Sequence, residues 1–165
     1  MMRRKDRKTN ESFALEVVDK CPYAVLSTVL PDGRPYGIPL SIVRTGDFIY
    51  FHCAAKGAKL DALRHDPRVS IACADHVKPR ADDFSTEYES AIVSGTAHRV
   101  TGREEKIRAL RAISLRYTPA YMDHFDEAVA RSLDRTDVWK VKIETITGKQ
   151  KKYDQEGKEI KTNPE

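Results

Sequence analysis

The segment FHCAAKGAKLDALRHDPRVS, Phe51 to Ser70, changes character twice over a short length. It begins as the end of FIYFHC, Phe48 to Cys53, whose aromatic and β-branched content favours a strand. Small residues follow, Gly57 loosens the backbone, and Lys59 to His65 reads as a helix with Leu60 and Leu63 on one face. Asp66-Pro67 stops that helix, because the residue before a proline is pushed out of the α region. Arg68 to Ala74, RVSIACA, returns to strand. Such a strand-to-helix junction turns free N–H groups and the positive end of a helix toward an anion, and Lys59 adds a full charge. Taken alone it reads as an ordinary, unoccupied strand-to-helix turn. GxGxxG and GxxxxGK[ST] are both absent, which argues against a dinucleotide fold and a P-loop.

Upstream, Thr9 to Asp19 places apolar residues among polar ones as a first helix does, with Asn10 or Ser12 as its cap. Cys21-Pro22 ends it. Tyr23 to Leu30 then reads as a strand, Pro31-Asp32-Gly33 as a turn and Tyr36 to Arg44 as the second arm of a hairpin. Downstream, Asp75 to Thr86 is polar and reads as a surface loop, and Tyr88 to Val100 as a strand in which Gly95 marks a bulge or close approach. Glu104 to Tyr117 and Tyr121 to Leu133 have helical patterns, and Val138 to Ile146 alternates as a one-faced strand. The tail from Gly148 is charged and expected to fray. Six antiparallel strands with few crossovers favour a small closed or split barrel over a parallel sheet. FIYFHC, apolar at nearly every position, requires cover on both faces.

The chain of 165 residues suits one domain, 1–148, comprising an arm and helix at 1–20 and a helical insertion at 104–133, followed by a tail at 149–165. Hydrophobic content of 40% and charged content of 33% are those of a soluble protein. No apolar run approaches the ~20 residues of a membrane span, and Met1 to Lys8 is charged where a signal peptide needs an apolar region, so a cytoplasmic location is expected. Cys21, Cys53 and Cys73 form no CxxC pair, and His52, His65, His76, His98 and His124 show no ligand spacing, so neither disulfides nor a metal site is expected. The whole net charge of +4 resides in the first eight residues, which leaves a neutral body and speaks against nucleic acid as a partner.

The hairpin YAVLSTVLPDGRPYGIPLSIV, the segment IYFHCAAKGAKLDALRHDPRVSI, MRRKDR at Met2 to Arg7, YESAIVSGTA and VKIETITGK together resemble a known family. It is the FMN-binding split-barrel family related to pyridoxamine 5′-phosphate oxidase, and the branch most similar is that of the 5-nitroimidazole resistance proteins. The resemblance implies a mainly β (α+β) fold, a six-stranded antiparallel split barrel, and a homodimer with flavin mononucleotide at the subunit interface. It implies Lys59 at the flavin phosphate, with His52 and Cys53 lining the site and Ala54 supplying backbone. Pro39, Leu40 and Ser41 would lie along the flavin ring, and Ser90 and Glu89 would approach from the partner subunit. The implied activity is a flavin-dependent oxidoreductase acting on a small electron-poor substrate such as a nitroaromatic, with a nicotinamide electron donor and His52 as the catalytic residue. The alternative is a non-catalytic sensor or store of flavin or haem; a deazaflavin is a further alternative cofactor.

Two departures from the oxidases proper stand out. Ala58 replaces an arginine beside the phosphate lysine, and WKVKIETITGKQKK lacks the arginine and histidine that hold pyridoxal phosphate, so vitamin B6 oxidation is not expected. Simpler readings exist for several side chains: His52 as a hydrogen-bonded core histidine, Cys53 as buried filler and Trp139 as core. Arg108, Arg111 and Arg116 read as a solvated helix face, and Tyr117, Tyr121 and Phe125 as helix-packing surface.

Overall fold

The computed structural model describes residues 3–162; Met2 of the charged opening and 163–165 of the tail lie outside them. The chain runs through β1 (Lys8–Thr9), α1 (Glu11–Lys20), β2 (Ala24–Val29), β3 (Pro35–Leu40), β4 (Val43–Thr45), β5 (Phe48–Ala54) and α2 (Ala58–His65). It continues with β6 (Arg68–Arg80), β7 (Ser85–Arg99), α3 (Arg103–Tyr117), α4 (Phe125–Ser132), β8 (Thr136–Tyr153) and β9 (Glu159–Ile160). Asn10, rather than Ser12, caps α1: its side-chain oxygen accepts the Phe13 N–H at 2.9 Å.

Among the described residues the sheet has nine strands, in the order β3-β2-β6-β7-β8-β5-β4, with β1 and β9 added along β8. Six strands were expected. The difference arises because the second arm of the hairpin breaks into β3 and β4, and because residues expected in the arm and the tail pair with β8. β3 and β4 occupy opposite ends of the strand order, yet only Ser41 and Ile42 separate them in sequence. A link that short spans ~11 Å at most, so the sheet has to curl until its two edges meet. Among the described residues no ladder crosses that seam. The result is an α+β fold built on an antiparallel sheet that wraps round without closing.

At the seam, Ile42 is fully buried, so its backbone groups need partners. α3 supplies them. The Ile42 N–H donates to the Tyr117 hydroxyl at 3.0 Å, and that hydroxyl and Arg116 Nη1 donate back to the Ile42 carbonyl at 3.0 and 2.9 Å. Arg116 Nη2 also reaches the Val18 and Cys21 carbonyls that close α1, at 3.1 and 2.6 Å. Arg116 is therefore a clamp and not part of a solvated face; Arg111 and Arg108 do lie on the exposed face, beside Asp126 at 2.7 Å and Glu104 at 3.6 Å.

Leu26, Ile49, Phe51, Ile71, Val93 and Val141 fill the barrel, with Leu60 and Leu63 of α2 and Val17 and Val18 of α1 packed against it. The two-sided cover expected for β5 is present: Ile49 and Phe51 point inward, while Tyr50 packs with Val100, Ala109, Leu110 and Val138 under α3. Gly95 sits at a register shift where a β-carbon would collide with the Lys142 carbonyl.

Three other expectations are corrected. Asp75 to Thr86 is mostly strand, because β6 and β7 keep their backbone pairing past a bulge between Asp75 and Lys78 whatever their side-chain polarity. The charged tail continues β8 as far as Tyr153, and Arg7 binds Glu159 at 2.5 Å near β9. The second expected helix is broken, its first turns being 3-10 with a kink at Tyr121. No described helix is long and apolar enough to cross a membrane.

Tyr117→Phe removes both hydroxyl bonds and leaves a buried N–H unpaired, which costs about 1–3 kcal/mol. Denaturant titration should show that loss, and an unchanged midpoint would show that the seam does not depend on the hydroxyl.

Candidate functional site

The strand-to-helix junction forms one corner of the barrel. Gly57 caps α2 with φ 133° and ψ 165°, a conformation that favours glycine, and offers no side chain to the helix's first N–H groups. Lys59 lies in that first turn, its ammonium 5.6 Å from the centre of the Phe51 ring. No ion pair to Lys59 occurs among the described residues, and the one acidic residue of the turn, Asp61, is exposed and faces Arg64 at 3.5 Å. Free backbone donors, a lysine and the helix dipole make a donor set suited to an anion. The absent arginine at Ala58 leaves this set without a bidentate fork.

His52 turns away from the barrel interior, toward the helical insertion. It shares the wall of a cavity of about 170 Å³ with Leu110, Ile113, Phe125 and Val129. Its outer edge is exposed, yet the ring is enclosed enough that burial, and after it the charge of Lys59, lowers its pKa from 6.5. Cys53 points the other way and is half-buried. Burial raises its pKa, with Lys59 opposing. Ser41 lies between β3 and Ile42, outside the β4–β5 ladder, which ends at Val43–Tyr50. Leu40 is buried in the core, so only its backbone can face a ligand.

A second region lies on the outer face of the sheet. Pro39, Val25, Ala72, Ile92 and Thr147 form one row across five strands; Gly37, Ser27, Ser70, Ser94 and Thr145 form the next. Both rows are uncharged, and the second is made of small residues. A cleft of about 510 Å³ opens at their end, lined by Pro22, Tyr23, Asp75, His76 and Ser90 among others. Glu89 is buried beside it, bonded by Lys152 and by Gln150 Nε2 at 3.3 Å, with His76 Nδ1 at 3.2 Å. Burial presses the Glu89 carboxyl up, but Lys152, His76 and Gln150 together outweigh it and the net shift is down. Asp75, His76 and Glu89 have the spacing of a metal triad, yet the Lys152 ammonium already neutralises Glu89.

His52, Cys53, Ala54 and Lys59 thus come together at one corner, while Glu89 and Ser90 do not join them in the same chain. Cys53 lies opposite Asp137 and Ser90 opposite Lys149, positions about 40 Å apart along β8 at ~3.3 Å per residue. Trp139 is core, at 4% exposure. Sequence reading missed Tyr23 and His76; the exposed aromatic after Cys21-Pro22 was the available signal for the first, while the second depends on a bulge that no residue pattern announces.

Comparison with known proteins agrees with this architecture. The family model described as pyridoxamine 5′-phosphate oxidase matches residues 10–150, so the chain belongs to that family of split-barrel proteins. A candidate 5-nitroimidazole antibiotic resistance protein of Bacteroides thetaiotaomicron superposes with a TM-score of 0.73 at 25% identity, covering 85% of this chain and 83% of its own. The flavocytochrome Anf3 of Azotobacter vinelandii gives 0.80 at 19% identity, over 97% and 74% of the two chains. An FAD- and haem-binding protein of Mycobacterium smegmatis gives 0.74 at 21%, over 88% and 73%. The latter two bear on fold alone. No curated relative is matched by sequence.

Because native His52 holds fewer protons than the unfolded chain just below pH 6.5, it costs stability as pH falls through that range. NMR titration should place its midpoint below 6.5, and Lys59→Ala should raise it only in part, since burial is the larger cause. A wild-type midpoint at or above 6.5 would contradict the described environment.

Proposed function

We propose that the protein is a flavin-dependent oxidoreductase that binds FMN between two copies of the chain. The observation that carries this reading is the start of α2, without a side-chain cap, with Lys59 free of ion pairs among the described residues and within electrostatic reach of His52, in a member of this family. The phosphate would be held by the first N–H groups of α2 and by Lys59. Ser41 and the backbone of Pro39 and Leu40 would lie along the ring, and Ser90 with Glu89 would come from the partner. A second copy is the economical source of those two residues, given their distance from Lys59 in one chain. The uncharged rows centred on Ile92, itself 44% exposed, offer a flat face for that copy. The cleft of about 510 Å³ falls in the roughly 300–1,000 Å³ range of ligand sites.

When bound, the flavin would supply the electron-transfer chemistry. The chain supplies position and proton control. His52, its pKa lowered, is largely neutral near pH 7, so it can donate one hydrogen bond and accept another beside a substrate. The cavity it faces, about 170 Å³, lies below the usual ligand-site range and favours a small compound, in keeping with an electron-poor ring such as a nitroaromatic. A nicotinamide donor is the proposed source of electrons.

One observation supports a second reading. A neutral histidine at a cavity mouth is also a competent haem ligand, and the flavocytochrome and the FAD- and haem-binding protein share this fold.

Purified protein titrated with FMN should give a flavin spectrum bleached by a nicotinamide donor. Lys59→Ala should weaken retention about tenfold, the worth of one charge-assisted hydrogen bond. Ile92→Lys, which puts a charge on the outer face, should yield a monomer that retains little flavin. Undiminished flavin in both variants would refute the site, and a Soret band in place of flavin absorption would favour the haem reading.

A further inference from the structure

A phosphate monoester carries about −1.5 to −2 charges at pH 7. The corner at α2 meets it with one lysine, Ala58 standing where the oxidases have an arginine. The outer face of the sheet holds two cations without an anion. Lys149 on β8 pairs directly with Lys8 of β1 on one side and with Ser90 of β7 on the other. Directly opposite residues share a face, so Lys8, Lys149 and Ser90 make one row, next to the uncharged row through Thr147 and Ile92. The Lys149 ammonium agrees with that placing, since it lies 5.8 Å from the centre of the Tyr88 ring, two residues from Ser90 on the same face.

Two ammonium groups at directly opposed positions repel, and the chain offers neither a counter-ion. No ion pair to Lys8 or Lys149 occurs among the described residues, and the rows on either side, through Thr147–Ile92 and through Lys151–Tyr88, contain no acid. Carboxylates at this end of the sheet serve other cations: Asp6 pairs with Arg4 and Lys161, Glu159 with Arg7, and Glu89, on the opposite face, with Lys152. The lysine pair therefore costs stability in the isolated chain, and only an anion from outside offsets that cost. Ser90 is the residue that the proposed dimer brings to the flavin. Directly opposed β-carbons lie about 4.5–5.5 Å apart, so any arrangement that sets Ser90 beside the flavin of the other copy carries the flexible Lys149 side chain there as well.

We propose that Lys149, backed by Lys8, is a second phosphate-binding cation of the flavin site, acting across the subunit interface on the phosphate held at the start of α2 of the other copy. The assignment rests on the flavin reading above. It supplies the charge that Ala58 removes. It also accounts for a lysine row beside the uncharged rows: the lysines meet a phosphate rather than protein, so no unpaired charge is buried when two copies join. Each site then consists of Lys59 and the first N–H groups of α2 from one copy, with Lys149, Lys8 and Ser90 from its partner.

The test titrates the full chain with FMN and with riboflavin, which lacks the phosphate, and follows flavin fluorescence. Lys149→Ala should weaken FMN binding about tenfold and leave riboflavin unchanged, Lys149→Arg should keep most of the affinity, and Lys8→Ala should weaken FMN by a smaller factor. Neither alanine variant should lower the denaturation midpoint, because each relieves a like-charge contact. A mixed dimer of Lys59→Ala with Lys149→Ala, isolated through two affinity tags, decides the arrangement. Acting across the interface, the two defects fall in one site and leave the other intact, so the mixed dimer should bind one FMN with wild-type affinity. Two weakened sites in the mixed dimer, unchanged FMN affinity in Lys149→Ala, or an equal loss for riboflavin would overturn the proposal while the flavin reading stands. Wild-type protein that takes up neither flavin would refute that reading and this assignment with it.

Discussion

Two side chains at the end of α3 hold the barrel together where its own hydrogen bonds stop. A curled antiparallel sheet has to close on itself or satisfy its edges some other way. Here the edges meet at Ser41-Ile42, and Tyr117 and Arg116 provide the bonds that a ladder would otherwise supply. The same guanidinium closes the end of α1, so helix, seam and insertion are locked by one group. Glu105 fixes the other end of α3 by accepting from Tyr50 and Lys140 at 3.0 and 2.7 Å. With both ends of α3 pinned, His52 faces a defined wall of helix.

That constraint places the chemistry. β3 runs into β4 across the seam, and the chain leaving β5 turns at Gly57 into α2. The corner therefore gathers a lysine, open N–H groups and an imidazole without an acidic neighbour on the first turn other than exposed Asp61. Charge on Lys59 acts on both neighbours, lowering the pKa of His52 and holding down that of Cys53. On the outer face, the rows from Pro39 to Thr147 and from Gly37 to Thr145 carry no charge.

Much of this was legible in the residues. The core strands, the turn at Pro31-Asp32-Gly33, α2 with its stop at Asp66-Pro67 and the bulge at Gly95 follow from local rules of periodicity and backbone preference. What escaped reading was non-local. Arg116 looks like any helix-surface arginine until α1 and Ile42 are brought beside it. Asp75 to Thr86 looks like a loop because backbone pairing along β6 and β7 carries no side-chain signature once the strands leave the core. Tyr36 to Arg44 reads as one strand because nothing at Ser41-Ile42 signals a split. For the site, the β5–α2 corner was recognisable from its small residues and lysine, whereas the distance from Ser90 to Lys59 emerges only from the β8 register.

Amide hydrogen exchange at Ile42 tests the central constraint most directly. If Tyr117 and Arg116 substitute for the missing ladder, the Ile42 N–H exchanges as slowly as the core amides of Ile49 and Phe51. Exchange as fast as that of the exposed turn at Gly33 would mean that the seam is open and that α3 does not hold it.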